Sequence, residues 1–196
     1  MEFTMARTPS TMLPLGTRAP AFDLVDYDGR RYGLDDFTEA PGLLVMFICN
    51  HCPFVIHVRE ELARLADAYA ARGVAVVGIM SNDYANYGDD APAKMKVEAE
   101  TYGYRFPYVV DEDQRVAKAY QAACTPDFFL FDGDQRLVYR GQLDASRPGN
   151  GVAVTGEDLR AALDALLDAR PRAALQVPSV GCNIKWKPGN EPAYYG

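Results

Sequence analysis

The amino-acid sequence has no block of basic residues and no long apolar run. Its 20 Lys and Arg residues stand against 27 Asp and Glu, which gives a formal net charge of −7. Proteins that bind nucleic acid gain much of their affinity from basic side chains that neutralise phosphates, so this composition argues against a nucleic-acid partner. The longest apolar runs, at residues 43–48 and 74–77, are far shorter than the roughly 20 residues that cross a bilayer. We therefore expect no membrane-spanning segment.

Signals for export and for disulfide scaffolding are also missing. The first twelve residues contain no basic start followed by an apolar stretch, which is the pattern of a secretory signal, and we expect a cytoplasmic protein. Four cysteines in 196 residues are too few for a disulfide-scaffolded secreted fold, and a core of this size needs no covalent staple. No stretch repeats at a fixed period and none is low in complexity, so we expect one compact unit.

Alternating strand and helix patterns predict an α/β fold. Residues 43–48 form a continuous apolar run, which is typical of a central strand covered on both faces. In residues 53–72 the apolar positions recur every three or four residues, as in an amphipathic helix, and Gly73 is placed to end it. Residues 74–80 then give a second buried strand. A strand–helix–strand unit of this kind normally makes a parallel pair with a right-handed crossover.

The remaining elements are predicted from shorter patterns. They comprise a strand at 21–25, a helical turn at 34–37, a helix at 92–102, an edge strand at 107–110, a helix at 113–120, an antiparallel hairpin of 127–131 and 137–140, and a helix at 155–167. Thr155 is the expected N-cap of that last helix. Residues 1–170 form the predicted domain. Residues 171–196, which contain four prolines and no periodicity, form an extended C-terminal tail packed on it.

Two groups of acidic residues are predicted to face solvent. Asp89, Asp90 and residues 111–113 lie in turns, where acidic clusters most often mean solvated surface. Glu60 and Glu61 lie two turns along the long predicted helix, and a solvent-facing position is the preferred interpretation of both.

The sequence Cys49-Asn50-His51-Cys52 lies between the predicted central strand and the long helix. Cys49 is then near the helix N-terminus, where free backbone N–H groups and the helix dipole stabilise a thiolate. Two intervening residues bring Cys52 within disulfide reach, so that it can attack a mixed disulfide formed at Cys49 and release the product. We therefore predict Cys49 as the attacking thiol and Cys52 as the resolving thiol. This chemistry requires the two sulfur atoms to lie side by side and open to solvent.

His51, when protonated, would place a positive charge beside the thiolate. That charge is expected to lower the pKa of Cys49 and to make the pair comparatively oxidising. A zinc half-site is the alternative, with the two cysteines and either His51 or His57 as ligands. No second C-x-x-C and no H-x-x-H follows, which favours the redox interpretation, and His57 is expected to be a helix-surface or packed residue.

The chain resembles the thioredoxin-like superfamily over about residues 15–167, and within it the peroxiredoxin-like branch that keeps a thioredoxin-type C-x-x-C. The resemblance rests on the opening APAFDL at residues 19–24, the cysteine turn, the insertion around residues 83–110, and Thr125-Pro126 before the next strand. It implies a thioredoxin fold, in which a central mixed β-sheet is flanked by helices. An N-terminal extension, that insertion and the C-terminal tail are additions to the fold.

In that superfamily a cis-proline faces the cysteine turn. The resemblance therefore implies a cis peptide bond before Pro126 and a role for Pro126 in shaping the substrate groove. The backbone of Thr125 would pair with a bound peptide, and Asn50 of the cysteine turn is assigned to substrate binding with it. An edge-strand proline without catalytic meaning is the alternative.

The peroxiredoxin signature itself is missing. That family places Pro and Thr seven and three residues before the peroxidatic cysteine, where this chain has Gly42 and Met46 if that cysteine is Cys49. The arginine that peroxiredoxins carry aligns with Pro126. Without the hydroxyl and the arginine, little would polarise a peroxide oxygen, although any exposed low-pKa thiolate reacts with peroxide.

Two further cysteines are candidates for redox exchange. Cys124 adjoins the Thr125-Pro126 turn, and a buried, inert thiol is the alternative. Cys182 lies in the tail, which we expect to fold back near the cysteine turn with Trp186 as its anchor. Simple packing of the tail is the alternative.

These residues predict a thiol-disulfide oxidoreductase without a cofactor or a metal. Its partners would be protein or small-molecule thiols and disulfides, with a thioredoxin-type donor as the reductant. The alternatives are a peroxiredoxin-like peroxide reductase, an antioxidant enzyme that uses the same pair, and a redox-sensing or zinc-binding module.

Overall fold

A computed structural model describes residues 7–195 of the chain. The ten strands are β1 (Arg7–Pro9), β2 (Asp23–Asp26), β3 (Arg31–Gly33), β4 (Gly42–Phe47), β5 (Ala75–Met80), β6 (Tyr108–Val110), β7 (Cys124–Thr125), β8 (Asp127–Asp132), β9 (Leu137–Gly141) and β10 (Val180–Asn183). The helices are α1 (Pro53–Ala70), α2 (Pro92–Tyr102), α3 (Arg115–Ala119) and α4 (Glu157–Leu167), with 3₁₀ turns at Leu34–Phe37 and Gly88–Asp90. Within this range, no helix is long and apolar enough to cross a membrane. Residues 1–6, part of the segment in which the sequence shows no secretory pattern, lie outside the described residues.

The larger sheet is mixed and has seven strands in the order β3-β2-β6-β5-β4-β8-β9. Strands β4, β5 and β6 run parallel, while β8 pairs antiparallel with both β4 and β9. This arrangement confirms the α/β thioredoxin fold, the parallel pair around α1 and the antiparallel hairpin. The prediction of β6 as an edge strand is wrong, because β2 pairs with its outer side and continues the sheet.

Strand β4 divides the core into two layers. Leu44 and Met46 point into a cluster that contains side chains of α1, α2 and α4. Val45 and Phe47 point into a second cluster that contains side chains of α3. Because both faces of β4 are covered, successive residues must all be apolar, which explains the continuous apolar run.

Two details at the helices differ from the predictions. Helix α4 begins at Glu157 with Gly156, at φ +69°, as its N-cap, because the carboxylate of Asp144 accepts hydrogen bonds from the backbone N–H groups of both Thr155 and Gly156. Thr155 is therefore not the cap. Glu61 on α1 is buried rather than solvent-facing, since it is paired with side chains that include Arg160 of α4.

The smaller sheet joins the two ends of the described chain next to the cysteine turn. Its order is β1-β10-β7, and both pairings are antiparallel. Strand β10 belongs to the C-terminal tail and lies directly beside β7, which carries Cys124 and Thr125. The tail is thereby positioned over the edge of the fold at which the cysteines lie.

Candidate active site

The cysteine turn lies at the junction of β4 and α1. Cys52 is the N-cap residue of α1 and Pro53 occupies the first turn, where the lack of a proline N–H costs no helical hydrogen bond. Both cysteines are free thiols, and each shifts the pKa of the other, so their side chains lie close together. The predicted pair is therefore brought together as the redox interpretation requires.

Thr125 holds both sulfur atoms from the opposite side. The Sγ atom of Cys49 lies 3.4 Å from the Thr125 Oγ1 atom, and the Sγ atom of Cys52 lies 3.1 Å from the Thr125 carbonyl oxygen. The peptide bond between Thr125 and Pro126 is cis, which confirms the geometry that the superfamily resemblance implies. The role of Pro126 in shaping a substrate groove stays a prediction.

A buried carboxylate that the sequence did not reveal fixes the backbone of the turn. Asp90 accepts hydrogen bonds from the backbone N–H groups of Asn50 at 2.8 Å and His51 at 3.3 Å, and from the Asn82 side chain at 2.8 Å. It also bonds to His51 Nδ1 at 2.6 Å. The prediction that Asp90 is solvated surface is wrong, since its side chain is fully buried. The insertion brings it there, and no local pattern distinguishes it from the exposed Asp89.

The side chain of Asn50 is engaged within the protein. Its Nδ2 donates to the Asp89 carbonyl oxygen at 2.8 Å, and its Oδ1 accepts from the Tyr108 hydroxyl at 3.1 Å. These bonds tie the turn to the insertion and to β6. The predicted role of Asn50 in substrate binding stays a prediction.

His51 does not act on Cys49 as predicted. Its hydrogen bond to Asp90 raises the pKa of His51, so the positive charge of His51 is paired with a buried carboxylate. The pKa of Cys49 is raised, first by burial, then by the hydrogen bond to Cys52 and by the negative charge of Asp90. The predicted lowering of the Cys49 pKa is therefore wrong for this conformation. The redox potential of the pair stays a prediction.

The negative charge of the pair is favoured at Cys52. Hydrogen bonds from the thiols of Cys182 and Cys49 lower the pKa of Cys52, and the backbone N–H of Val55 adds to the effect. The contact with the Thr125 carbonyl needs the Cys52 proton and opposes this ionisation. Because Cys49 and Cys52 affect each other's ionisation so strongly, their pKa values belong to the pair rather than to either residue alone. The negative charge lies mainly on Cys52, at the N-terminus of α1, where the helix dipole stabilises it.

Strand β10 covers the cysteine turn. Cys182 lies opposite Thr125 in the pairing of β10 with β7. Cys49 is 2% exposed, Cys52 0% and Cys182 8%. The expectation that the paired sulfur atoms are open to solvent is therefore wrong for this conformation, since both cysteines are buried beside the tail strand.

The other candidate ligands and thiols are placed as follows. Cys124 precedes Thr125 on β7, so its side chain points to the opposite face of the strand. It is fully buried, and burial raises its pKa well above the usual value, which favours the inert alternative. His57 contacts Ser146 Oγ at 2.7 Å. Cys49, His51 and Asp90 place ligand-type atoms within 4.8 Å of one another, a different set from the predicted zinc half-site.

The peroxiredoxin positions in β4 supply no hydroxyl. Gly42 and Met46 both lie in this buried strand. The hydroxyl that contacts the Cys49 sulfur belongs to Thr125, which lies on the opposite side of the turn. The thiol is therefore polarised by a different residue from the one that the peroxiredoxin pattern uses.

A second buried carboxylate lies beyond Pro126. Asp127 is fully buried at the start of β8, and burial raises its pKa to about 7. The Ser10 side chain and the backbone of Ala123 and Phe128 partly oppose this shift of the pKa. An acid in such a position is a proton acceptor near neutral pH, and nothing in the surrounding sequence signals it.

Comparison with known proteins assigns the family. Residues 14–159 match the Redoxin family model. The thiol-disulfide oxidoreductase ResA of Geobacillus thermodenitrificans is 30% identical over 132 residues, which are 66% of this chain and 70% of that protein. A solved structure of an uncharacterized conserved protein from Geobacillus kaustophilus is 56% identical, with a TM-score of 0.93, and covers 95% of this chain and 100% of its own. A hypothetical protein from Sinorhizobium meliloti is 53% identical, with a TM-score of 0.91, and covers 93% and 100%. The chain belongs to the Redoxin family of thioredoxin-like proteins.

Proposed function

We propose that this protein is a thiol-disulfide oxidoreductase that works through Cys49 and Cys52. The observation that carries the proposal is the pair of free thiols at the strand–helix junction, both held against Thr125 of the cis-proline turn. The family and the likeness to a thiol-disulfide oxidoreductase support the same class of reaction.

The reaction proceeds in two thiol exchanges. Cys49 passes its proton to the Cys52 thiolate and attacks one sulfur of a substrate disulfide. The S–S bond breaks, and the first substrate thiolate leaves and takes up that proton, which restores the Cys52 thiolate. The Cys52 thiolate then attacks the Cys49 sulfur, which releases the second substrate thiol and leaves a Cys49–Cys52 disulfide. The substrate gains two electrons and the pair loses two. A dithiol donor of the thioredoxin type restores the pair by the reverse exchange.

The turn is built so that Cys49 and Cys52 keep their relative positions during these steps. Asp90 holds the backbone between them through the N–H groups of Asn50 and His51. Thr125 Oγ1 bonds to the Cys49 sulfur, and this bond lowers the Cys49 pKa against the effect of burial. Access by a substrate requires β10 to move away from β7, since both cysteines are buried and β10 occupies the edge of β7 beside Thr125.

Reduction of insulin with dithiothreitol as the donor tests the proposal. The wild-type protein is expected to accelerate the reaction and Cys49→Ser to abolish the acceleration, because the mixed disulfide can no longer form. Cys124→Ala is the matched control, since this buried cysteine points away from the pair, and it is expected to retain activity. Activity that persists in Cys49→Ser would contradict the proposal.

Two parallel measurements address the alternatives. Consumption of peroxide with a thioredoxin-type reductant, in place of insulin reduction, would favour the peroxide reductase. Stoichiometric zinc in protein purified under reducing conditions would favour the metal-binding module.

We propose the cytoplasm as the compartment in which this protein works, since thiols are kept reduced there. Trapping with an alkylating agent in intact cells is expected to find the pair mainly as thiols.

A further inference from the structure

Strand β10 occupies the free edge of β7 as an added peptide strand would. Cys182 and Asn183 are paired antiparallel with Thr125 and Cys124. A side chain on Gly181 would place its Cβ 1.9 Å from the Thr125 carbonyl oxygen. Only glycine at position 181 therefore allows the two backbones to lie this close together. The tail is thus fitted closely to the residue that holds both sulfur atoms of the pair.

The register directs the Cys182 side chain toward the pair. Residues directly opposite each other in an antiparallel pair present their side chains on the same face. Cys182 therefore shares a face with the Thr125 side chain, whose Oγ1 atom contacts Cys49. The Cys182 side chain is the largest cause of the lowered pKa of Cys52, so the two side chains lie close together, and all three cysteines belong to one buried cluster.

The tail is anchored on both sides of Cys182. Before it, Ser179 Oγ donates to the Pro126 carbonyl oxygen at 2.6 Å. After it, the Lys185 backbone N–H donates to Asn82 Oδ1 at 2.8 Å, and the side chain of Trp186 is buried in the second core cluster. A thiol held in this way stays near its partner when the strand between the anchors opens, so its effective concentration is high.

We propose that Cys182 is a third redox thiol of this protein and that its exchange partner is Cys52. The proposal rests on the function proposed above. In the oxidised protein, the Cys182 thiolate attacks the Cys52 sulfur of the Cys49–Cys52 disulfide. The Cys52–Cys182 bond forms as the Cys49–Cys52 bond breaks, and Cys49 leaves as a thiolate that takes up the proton released by Cys182. The number of disulfides is unchanged.

This transfer moves the disulfide to the most exposed of the three cysteine residues. Cys182 is 8% exposed, against 2% for Cys49 and 0% for Cys52. A dithiol donor then attacks the Cys182 sulfur, and Cys52 leaves as a thiolate. Cys52 is suited to leave because the hydrogen bond from Cys49 stabilises its charge. The second donor thiol releases Cys182, so the donor ends as a disulfide and the protein as three thiols.

Trypsin separates the competing disulfides. Cleavage after Lys and Arg leaves Cys49 and Cys52 together in the peptide of residues 32–59, whereas Cys124 lies in residues 119–136 and Cys182 in residues 173–185. A Cys49–Cys52 bond thus stays within one peptide, while a Cys52–Cys182 bond joins two. Full-length protein is oxidised with diamide, the remaining thiols are blocked, and the digest is analysed by mass spectrometry without reduction.

The transfer predicts a defined set of links. Cys49→Ser is expected to yield mainly the 32–59 peptide joined to 173–185. The wild type is expected to yield the same joined peptide beside the internal disulfide, with fragmentation placing the bond at Cys52. Cys124→Ala should give the wild-type pattern. A folded Cys49→Ser protein without this link, a bond to Cys124 in its place, or only the internal disulfide in the wild type would overturn the proposal.

The same digest separates this proposal from the proposed function. Cys182→Ser is expected to form the internal Cys49–Cys52 disulfide. If it does, while the wild type never forms the joined peptide, the third thiol is refuted and the proposed function stands. If neither disulfide involving Cys52 forms in any of these proteins, both proposals fail.

Discussion

The role of Asp90 gives the sharpest test of how the cysteine turn is held. Its buried carboxylate accepts from two backbone N–H groups of the turn and bonds to His51 Nδ1. In Asp90→Asn the amide oxygen can still accept from the two backbone groups, but without a negative charge. The NH₂ group then faces His51 Nδ1 and can donate to it only when the imidazole is neutral.

The expected loss of stability follows from these contacts. Hydrogen bonds to a charged group contribute about 1.5–3 kcal/mol each and are roughly twice as strong as neutral ones. Halving the two backbone bonds lowers the free energy of unfolding by about 1.5–3 kcal/mol. The Asn82 side chain and His51 both contact the other carboxylate oxygen, which the NH₂ group replaces, and the loss of that acceptor adds to the effect. Removal of the desolvation cost of a buried charge opposes this loss, so the lower end of the range is expected, and the variant should fold.

The dependence on pH identifies the interaction. The pKa of His51 is raised in the folded protein by Asp90. The stabilisation that it brings is therefore fully present below the unfolded-state pKa of about 6.5 and is lost as the pH rises through the folded-state value. The difference in unfolding free energy between the wild type and Asp90→Asn should be larger at acidic than at alkaline pH.

Urea denaturation and NMR together make the measurement. The chain has only 2 histidines, so the imidazole signals of His51 and His57 are readily assigned with a His57→Gln variant. The His51 pKa should fall in Asp90→Asn, and the stability difference should shrink as the pH rises. A His51 pKa that is unchanged by the substitution would refute this account of the turn.

Three further substitutions test other parts of the site. Gly181→Val should displace β10 from β7, because the new side chain would overlap the Thr125 carbonyl oxygen. Alkylation of Cys49 by iodoacetamide should then be faster. An unchanged rate would show that β10 does not limit the access of the reagent to Cys49. Thr125→Val removes the Oγ1 contact that lowers the Cys49 pKa, so the pH midpoint for Cys49 alkylation should rise, and a fall would count against that contact. Asp127 has its pKa raised to about 7 by burial, so the folded state loses stability between the unfolded-state pKa near 4 and pH 7. Asp127→Asn should therefore raise the unfolding free energy by up to about 4 kcal/mol above pH 7 and by little at pH 4, and equal effects at the two pH values would contradict this.

The sequence was sufficient for the elements whose burial is periodic. Strand β4 contacts the core on both faces, which explains its continuous apolar run. Helix α1 contacts the core on one face, which explains why its apolar residues recur every three or four positions. In both elements the local sequence pattern agrees with the position in the fold. The cysteine turn was also predictable, since the C-x-x-C spacing carries its chemistry in its own residues, and the cis-proline was predictable from the resemblance to the thioredoxin-like superfamily.

Residues whose environment is made by distant segments could not be predicted in this way. Asp90 is polar and lies in a turn, yet the insertion carries it beneath the cysteine turn. Glu61 is buried because Arg160, far along the chain, pairs with it. The raised pKa of Cys49 results from its burial, from Cys52 and from Asp90. No local motif encodes which segment will fold over a site.

The central claim is that Cys49 and Cys52 form one two-electron couple, and its most direct test counts their thiols as a function of redox potential. The Cys182→Ser protein is used because Cys182 can no longer exchange with the pair. It is equilibrated in dithiothreitol buffers, quenched with acid and alkylated, and the mass of the tryptic 32–59 peptide is measured by mass spectrometry. This peptide is expected to carry two labels or none, with a single two-electron transition. A peptide with one label as the main oxidised species, or two labels under the most oxidising conditions, would contradict it.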